Sequence, residues 1–195
     1  MDIEQKIARL EEIVQWQDEN IDGVEIPADD RTRIVVGLLD LALEHERAIG
    51  ILSHRKMHGS VFALSRPLYE AYIRALWLRY CATDNEIEKF KKGKLEKTFS
   101  GLIAEIEKVQ GYDENALSDI KSKNWKLMND FTHGGISQAW GRNTANEITP
   151  NYPEEDTEAA VDFAVIVGLL VSMEVANITS NETFARQLLE KMESL

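Results

Sequence analysis

Residues 154–178 read EEDTEAAVDFAVIVGLLVSMEVANI, and this stretch decides the fold class. Acidic residues fill its first turn, where they interact favourably with the positive end of a helix dipole. The unbroken apolar run that follows, from Phe163 to Val171, is nine residues long, whereas a helix needs about 20 apolar residues to cross a bilayer. The stretch therefore predicts a helix buried at the centre of a helical protein, without a membrane span.

The remainder of the chain repeats the helical spacing of apolar residues nearly throughout, with only four prolines and eleven glycines. This pattern predicts an all-α fold, a single-domain antiparallel helical bundle over residues 1–195 with its core at about 31–178. Asp29 or Asp30 is the expected N-cap of the second helix. The predicted helices cover residues 3–20, 31–52, 59–82, 85–92, 95–109, 113–133 (capped by Asp113), 154–178 and 181–193.

The overall charge limits the classes of partner. The chain has 34 acidic and 22 basic residues, a formal net charge of -12, which repels phosphate backbones and argues against broad binding to DNA. A local basic pocket remains compatible with this charge because short-range contacts outweigh the mean field. The first ten residues, MDIEQKIARL, lack the basic and apolar regions of a secretory leader, so we expect a cytoplasmic protein.

One charged stripe follows the third predicted helix, whose sequence is SRPLYEAYIRALWLRY (65–80). Arg66, Glu70 and Arg74 fall on one face at successive fourth positions, within a helix that is otherwise mostly apolar. Glu70 can neutralise only one arginine, so a carboxylate, a phosphate or the acidic segment 154–162 must balance the other. The alternative is an ion-pair network that only fixes the helix register. Pro67 predicts a kink or a new helix start beside this stripe.

The segment NDFTHGG (129–135) ends the sixth predicted helix and admits two interpretations. In the first, His133 stabilises the negative helix end and a glycine stops the helix in the left-handed conformation. In the second, His133 is an exposed histidine that can transfer protons near neutral pH. A predicted loop over 134–153 follows, and its length suggests function. It contains further candidates for the same site, Gln138, Trp140, Arg142 and Tyr152.

Motifs for metals and cofactors are weak in this sequence, and none is predicted. His54 and His58 have a metal-compatible spacing but no carboxylate between them. Asp130 and His133 resemble half of a bundle di-metal site, which requires more carboxylates. The phosphate-binding glycine loops, the nucleophile elbow and the C-x-x-C motif are missing. The lysine-rich segment 89–97 is either a solvated face or a partner contact.

The segments SRPLYEAYIRALWL and NDFTHGG, followed by PNYPEED, resemble an uncharacterised family of bacterial all-helical proteins known only as a domain of unknown function. Its R-P-L-x-E-A helix, T-H-G helix end and P-N-Y stretch match over about residues 30–178. More distantly, the chain is similar to the HEPN superfamily (higher eukaryotes and prokaryotes nucleotide-binding). That resemblance implies a HEPN-like bundle core with additional helices, a homodimer, and a role in defence or stress.

Many HEPN proteins are metal-independent ribonucleases with an Arg-x(4–6)-His motif. Arg47 and His54 match this spacing, but they lie inside one predicted helix, and chance alone readily produces such a match. A ribonuclease would instead require Arg66 and His133 to meet across two helices, with the arginine stabilising the phosphorane and the histidine moving the 2′-hydroxyl proton.

Two hypotheses follow. The first is a protein that binds RNA or a nucleotide at a pocket formed by the catalytic candidates Arg66 and His133. The binding candidates Glu70, Arg74, Arg142 and Tyr152 would complete that pocket. The second is a non-catalytic protein-interaction module, in which the arginines are structural and the acidic segment 154–162 or the lysine-rich segment binds a protein. Convergence of the candidates on an open cleft favours the first hypothesis.

Overall fold

Helices dominate the computed structural model, which describes residues 1–112 and 114–194. The all-α prediction is confirmed. The helices of the described residues are α1 (Ile3–Ile21), α2 (Asp30–His54), α3 (His58–Tyr80), α4 (Asp84–Lys91), α5 (Phe99–Ile106), α6 (Ala116–Thr132), α7 (Ile136–Trp140), α8 (Glu154–Ile178) and α9 (Glu182–Glu193).

Local capping determines where several helices begin. Asp29 is the N-cap of α2, because its carboxylate accepts the backbone N–H of Thr32 at 2.9 Å. Thr98 caps α5 by accepting the N–H of Gly101 at 3.1 Å. This cap starts α5 later than the predicted helix over 95–109, so Leu95 precedes the helix. The predicted cap Asp113 lies outside the described residues.

The core is formed where α2 packs along α3 and α8 lies against α1, α2 and α3. Helix α8 has the length and composition to cross a membrane. However, 67% of its most apolar 18-residue window is buried inside the protein. This burial confirms the prediction of a central buried helix. α1 and α9 also contribute to the hydrophobic core, through Leu10 and Leu188.

Two buried glutamates have opposite surroundings. Glu174 of α8 is 3% exposed, and its carboxylate accepts hydrogen bonds from Arg79 Nη1 (2.6 Å), Tyr80 OH (2.9 Å) and Tyr112 OH (2.5 Å). Glu46 of α2 is fully buried, and neither carboxyl oxygen has a hydrogen-bond partner among the described residues. Burial raises the pKa of Glu46 well above its usual value, although the nearby Gln17 amide and the Arg47 charge oppose this shift.

Candidate functional site

The candidate site forms where the Arg-Pro pair of α3 meets the Thr-His pair at the end of α6. Pro67 has no backbone N–H, so the carbonyl of Ala63 lacks its usual helical donor. The single hydroxyl hydrogen of Thr132 is shared between this carbonyl, at 3.3 Å, and the Met128 carbonyl of its own helix, at 2.8 Å. α3 runs through Pro67 without a break, so the predicted new start there is wrong, and the alternative of a kink stays a prediction. The hydroxyl contact holds the end of α6 against α3.

This contact near Pro67 and Thr132 brings the other member of each pair, Arg66 and His133, together. Arg66 Nη1 lies 2.6 Å from His133 Nε2. A guanidinium only donates hydrogen bonds, so His133 Nε2 accepts and the neutral imidazole carries its proton on Nδ1. His133 is exposed at the C-cap of α6. The encounter across two helices that a ribonuclease would require is therefore present.

Glu70 connects the two arginines of the stripe unequally. Its Oε1 lies 2.8 Å from Arg66 Nε and from Arg66 Nη2, whereas its Oε2 lies 3.7 Å from Arg74 Nη2. The Arg66 guanidinium also covers the Trp125 ring at 4.9 Å from the centroid. The side chains of Arg66 and Glu70 are 21% and 23% exposed, and that of Arg74 is 36% exposed. Arg74 thus keeps most of its donors available to a ligand.

These side chains open onto a groove of about 330 Å³ between α2, α3 and the end of α6. The opposite wall carries Leu38, Leu41 and His45 of α2. Sequence reasoning missed His45, although the spacing of these three residues places them on one helix face. Burial lowers the pKa of His45, with Glu44 opposing, so its imidazole is uncharged at neutral pH. We call this site, with Arg66, Glu70, Arg74, His133 and His45, the arginine groove.

The arginine groove carries an excess of positive charge. Two guanidinium groups face one carboxylate, which leaves one uncompensated charge. The acidic segment of α8 does not neutralise it, because Glu158 and Asp162 pair with Lys6 at 3.0 and 2.7 Å. Because the acidic segment is excluded, a carboxylate or phosphate of a bound ligand remains as the counter-charge.

The two glycines of NDFTHGG have structural roles. Gly134 adopts the left-handed conformation (φ 67°) that ends α6. At Gly135 an added Cβ would lie 1.9 Å from Asp130 Oδ1. The Asp130 carboxylate accepts the N–H groups of Ile136 (3.2 Å) and Ser137 (2.6 Å). Hydrogen bonding by the Ser137 side chain, and then by its backbone N–H, lowers the pKa of Asp130. This cap starts α7 inside the segment predicted as a loop, so that part of the prediction is wrong.

Arg142 and Tyr152 lie elsewhere, and the predicted six-residue pocket is therefore incomplete. Both line a separate cavity of about 530 Å³ beside the start of α3. Tyr152 OH donates to Gln138 Oε1 at 2.8 Å, and its ring packs against Phe62 with centroids 5.1 Å apart. An added Cβ at Gly141 would come within 1.9 Å of the Tyr152 ring. Tyr152 therefore fastens the loop to α3.

The remaining sequence candidates have structural partners. Arg47 pairs with Asp18 on the face toward α1, so it lies away from the arginine groove. In the lysine-rich segment, Lys91 contacts Asp30 at 2.8 Å and Lys97 contacts Glu105 at 2.6 Å. Within the described residues, no three histidine, cysteine, aspartate or glutamate side chains cluster closely enough to hold a metal ion.

Comparison with known proteins adds a family without an assigned activity. Residues 39–194 match a family of unknown function, DUF6988. This segment includes the whole arginine groove except Leu38 at its edge. No curated protein and no solved structure matches the chain. The match covers most of the sequence, and the chain therefore belongs to this family of unknown function.

Proposed function

We propose that this protein binds a phosphate-bearing ligand, an RNA segment or a nucleotide, in the arginine groove. The contact between Arg66 and His133 carries the proposal, because it joins a cation and an imidazole at an open surface. Arg74 adds a second guanidinium with a long contact to Glu70. Guanidinium groups suit phosphate oxygens because their donors form a planar fork.

The groove also contains the groups needed for metal-independent cleavage of RNA. In that reaction the phosphate replaces His133 as the partner of Arg66 Nη1. The freed His133 Nε2, or the imidazole of His45, removes the 2′-hydroxyl proton, and the 2′-oxygen bonds to phosphorus. The bond from phosphorus to the 5′-oxygen then breaks, and the imidazolium returns the proton to that oxygen. The products are a 2′,3′-cyclic phosphate and a 5′-hydroxyl. Arg66 and Arg74 would stabilise the charge that develops on phosphorus.

The acidic surface shapes the kind of nucleic acid that fits. A protein of net charge -12 repels long duplexes, so the ligand is short or reaches the groove as a single strand. The HEPN resemblance adds a homodimer and a defence or stress role to the proposal, which also keeps the cytoplasmic location expected from the sequence.

A second candidate function, protein interaction, is favoured by a specific observation. Ile136 and Trp140 share one face of α7 and are 64% and 68% exposed. Ile148 in the following loop is 84% exposed. Exposed aromatic and aliphatic side chains of this size are typical of protein-docking surfaces.

The experiment that tests the proposal is binding and cleavage of a panel of short RNAs and nucleotides, without metal ions. The wild-type protein is compared with Arg66→Ala, Arg74→Ala and His133→Ala. Arg142→Ala is the matched control, since it removes the same charge from an exposed arginine outside the groove. Circular dichroism establishes that each variant is folded.

Binding that is lost in Arg74→Ala and retained in Arg142→Ala supports a phosphate site. Cleavage that also disappears in His133→Ala makes the site catalytic. Equal binding by all variants, or no binding by the wild type, contradicts the proposal. Binding of protein partners that Trp140→Ala abolishes would favour the second candidate.

A further inference from the structure

A cavity of about 750 Å³ is separate from the arginine groove. It lies between α1, the turn from α2 to α3, and the first turn of α8. Ile3, Ile7 and Ala8 of α1 provide an apolar wall. Its volume is in the range of cavities that bind small organic molecules, which is about 300–1,000 Å³.

The charged lining of this cavity is mainly acidic. The lining contains three glutamates, Glu4, Glu11 and Glu154. Its one lysine or arginine is Lys56. Glu4 and Glu154 form no ion pair with any described residue, and Glu11 lies 3.9 Å from His54 Nδ1. With neutral histidines the lining carries two net negative charges.

The other polar groups leave this charge in place. Burial, aided by the positive charge of Lys56, lowers the pKa of His58, and His58 Nδ1 lies 3.1 Å from Thr157 Oγ1. The positive end of the α8 dipole also faces the cavity, but three acidic residues in its first turn offset it.

A buried hydroxyl provides an independent indication of a ligand. Ser53 lines the cavity and is 1% exposed, and its Oγ has no hydrogen-bond partner among the described residues. Leaving a buried polar group unpaired is unfavourable. A ligand with a hydrogen-bonding head group at Ser53 would remove this penalty.

The spacing of the carboxylates indicates the shape of the ligand. Glu4 and Glu11 are seven residues apart on α1, so they share a face and lie about 10 Å apart along the axis. Ile7 and Ala8 of the apolar wall lie between them. We propose that this cavity binds a linear aliphatic diamine or polyamine, whose methylene chain packs on Ile3 and Ile7. One ammonium group pairs with each glutamate, and an amine hydrogen bonds to Ser53.

The test is calorimetric titration of 1,8-diaminooctane into the full chain at low salt. We expect saturable binding, and at least about tenfold weaker binding of 1,8-octanediol and 1,3-diaminopropane, which lack the charges or the length. Replacing Glu4→Gln and Glu11→Gln together should weaken the diamine about tenfold, and Ser53→Ala about threefold. Both variants are first checked for native circular dichroism.

A matched control separates this site from general attraction to an acidic protein. Glu12→Gln with Glu19→Gln removes two exposed carboxylates of the same helix, at the same spacing, outside the cavity. We expect wild-type affinity for this control. Equal weakening in both double variants, equal affinity for the diol, or no saturable binding by the wild type would overturn the proposal.

Discussion

Helix α3 carries two arginine–glutamate clusters that solve the same electrostatic problem differently. Near its end, Arg79 faces Glu174, whose carboxylate is also bonded by Tyr80 and Tyr112. In the arginine groove, two guanidinium groups share the single carboxylate of Glu70. The Glu174 side chain is 4% exposed, whereas the Glu70 side chain is 23% exposed.

The difference separates a structural cluster from a candidate site. At Glu174 the charges are balanced and the carboxylate has three donors, so the cluster has no vacancy for a ligand. In the arginine groove a positive charge remains at an open surface. Buried balanced pairs mainly affect stability, since removal of one partner leaves an uncompensated charge. Exposed unbalanced charges contribute little to stability and attract ligands instead.

The largest effect that would test this comparison is the loss of stability in Glu174→Ala. We expect a decrease of roughly 3–5 kcal/mol in the free energy of unfolding, because Arg79 and two tyrosine hydroxyls lose their acceptor. Urea unfolding measures this value. The control Glu155→Ala, at an exposed position of α8, should change stability by about 1 kcal/mol or less. Equal effects of the two variants would contradict the structural assignment of the Glu174 cluster.

The next effect is a reversal between two arginine substitutions on the same helix. Arg79→Ala should destabilise the protein by about 1.5–3 kcal/mol, since it removes hydrogen bonds to a charged group. Arg74→Ala should leave stability within about 1 kcal/mol and weaken nucleotide binding about tenfold. Chemical unfolding and a binding titration are run on both proteins. The same pattern in both variants would remove the distinction between the clusters.

Glu46 extends the comparison to a buried glutamate that has neither arginine nor tyrosine partners. Its test is the pH dependence of the free energy of unfolding. Its folded pKa is raised above the usual 4.5, so folding keeps it protonated while the unfolded chain ionises. Stability is therefore lost as pH rises from 4.5 toward the folded pKa. Glu46→Gln removes this dependence. Between pH 5 and pH 7 the difference in unfolding free energy should move in favour of the variant, by at most about 1.4 kcal/mol for each pH unit. A constant difference across this range would show that Glu46 is ionised in the folded protein.

The smallest expected effect is a gain of affinity in Glu70→Gln. The carboxylate competes with a bound phosphate for both arginines, so its neutral isostere should tighten nucleotide binding about threefold, or roughly 0.7 kcal/mol. Titration of wild type and variant with the same nucleotide measures the change. Weaker binding would mean that Glu70 orients the arginines more than it competes with the ligand.

Most of the fold could be predicted because helix formation has a local signature. α8 was predicted with its observed bounds, and Asp29 was one of two predicted caps. α7 was missed because its five residues are too few for apolar periodicity. It is started by Asp130, a residue of the preceding helix, and this side-chain contact has no pattern in the sequence.

The candidate site was predictable to the extent that it is local. The spacing of Arg66, Glu70 and Arg74 defines their shared face, since residues four apart are neighbours on a helix. The contact between Arg66 and His133 spans 67 positions, so it entered only as a hypothesis. His45 was missed because its contribution depends on how α2 packs beside α3.

The most direct measurement is a heteronuclear NMR titration of the protein with adenosine 5′-monophosphate, following tryptophan indole N–H and histidine ring signals. Trp125 lies under Arg66, whereas Trp16 packs against Phe184. If the arginine groove binds phosphate, the Trp125 and His133 signals shift in a saturable manner and the Trp16 signal does not. Unchanged Trp125 and His133 signals at millimolar nucleotide, or equal shifts at Trp16, would contradict the account.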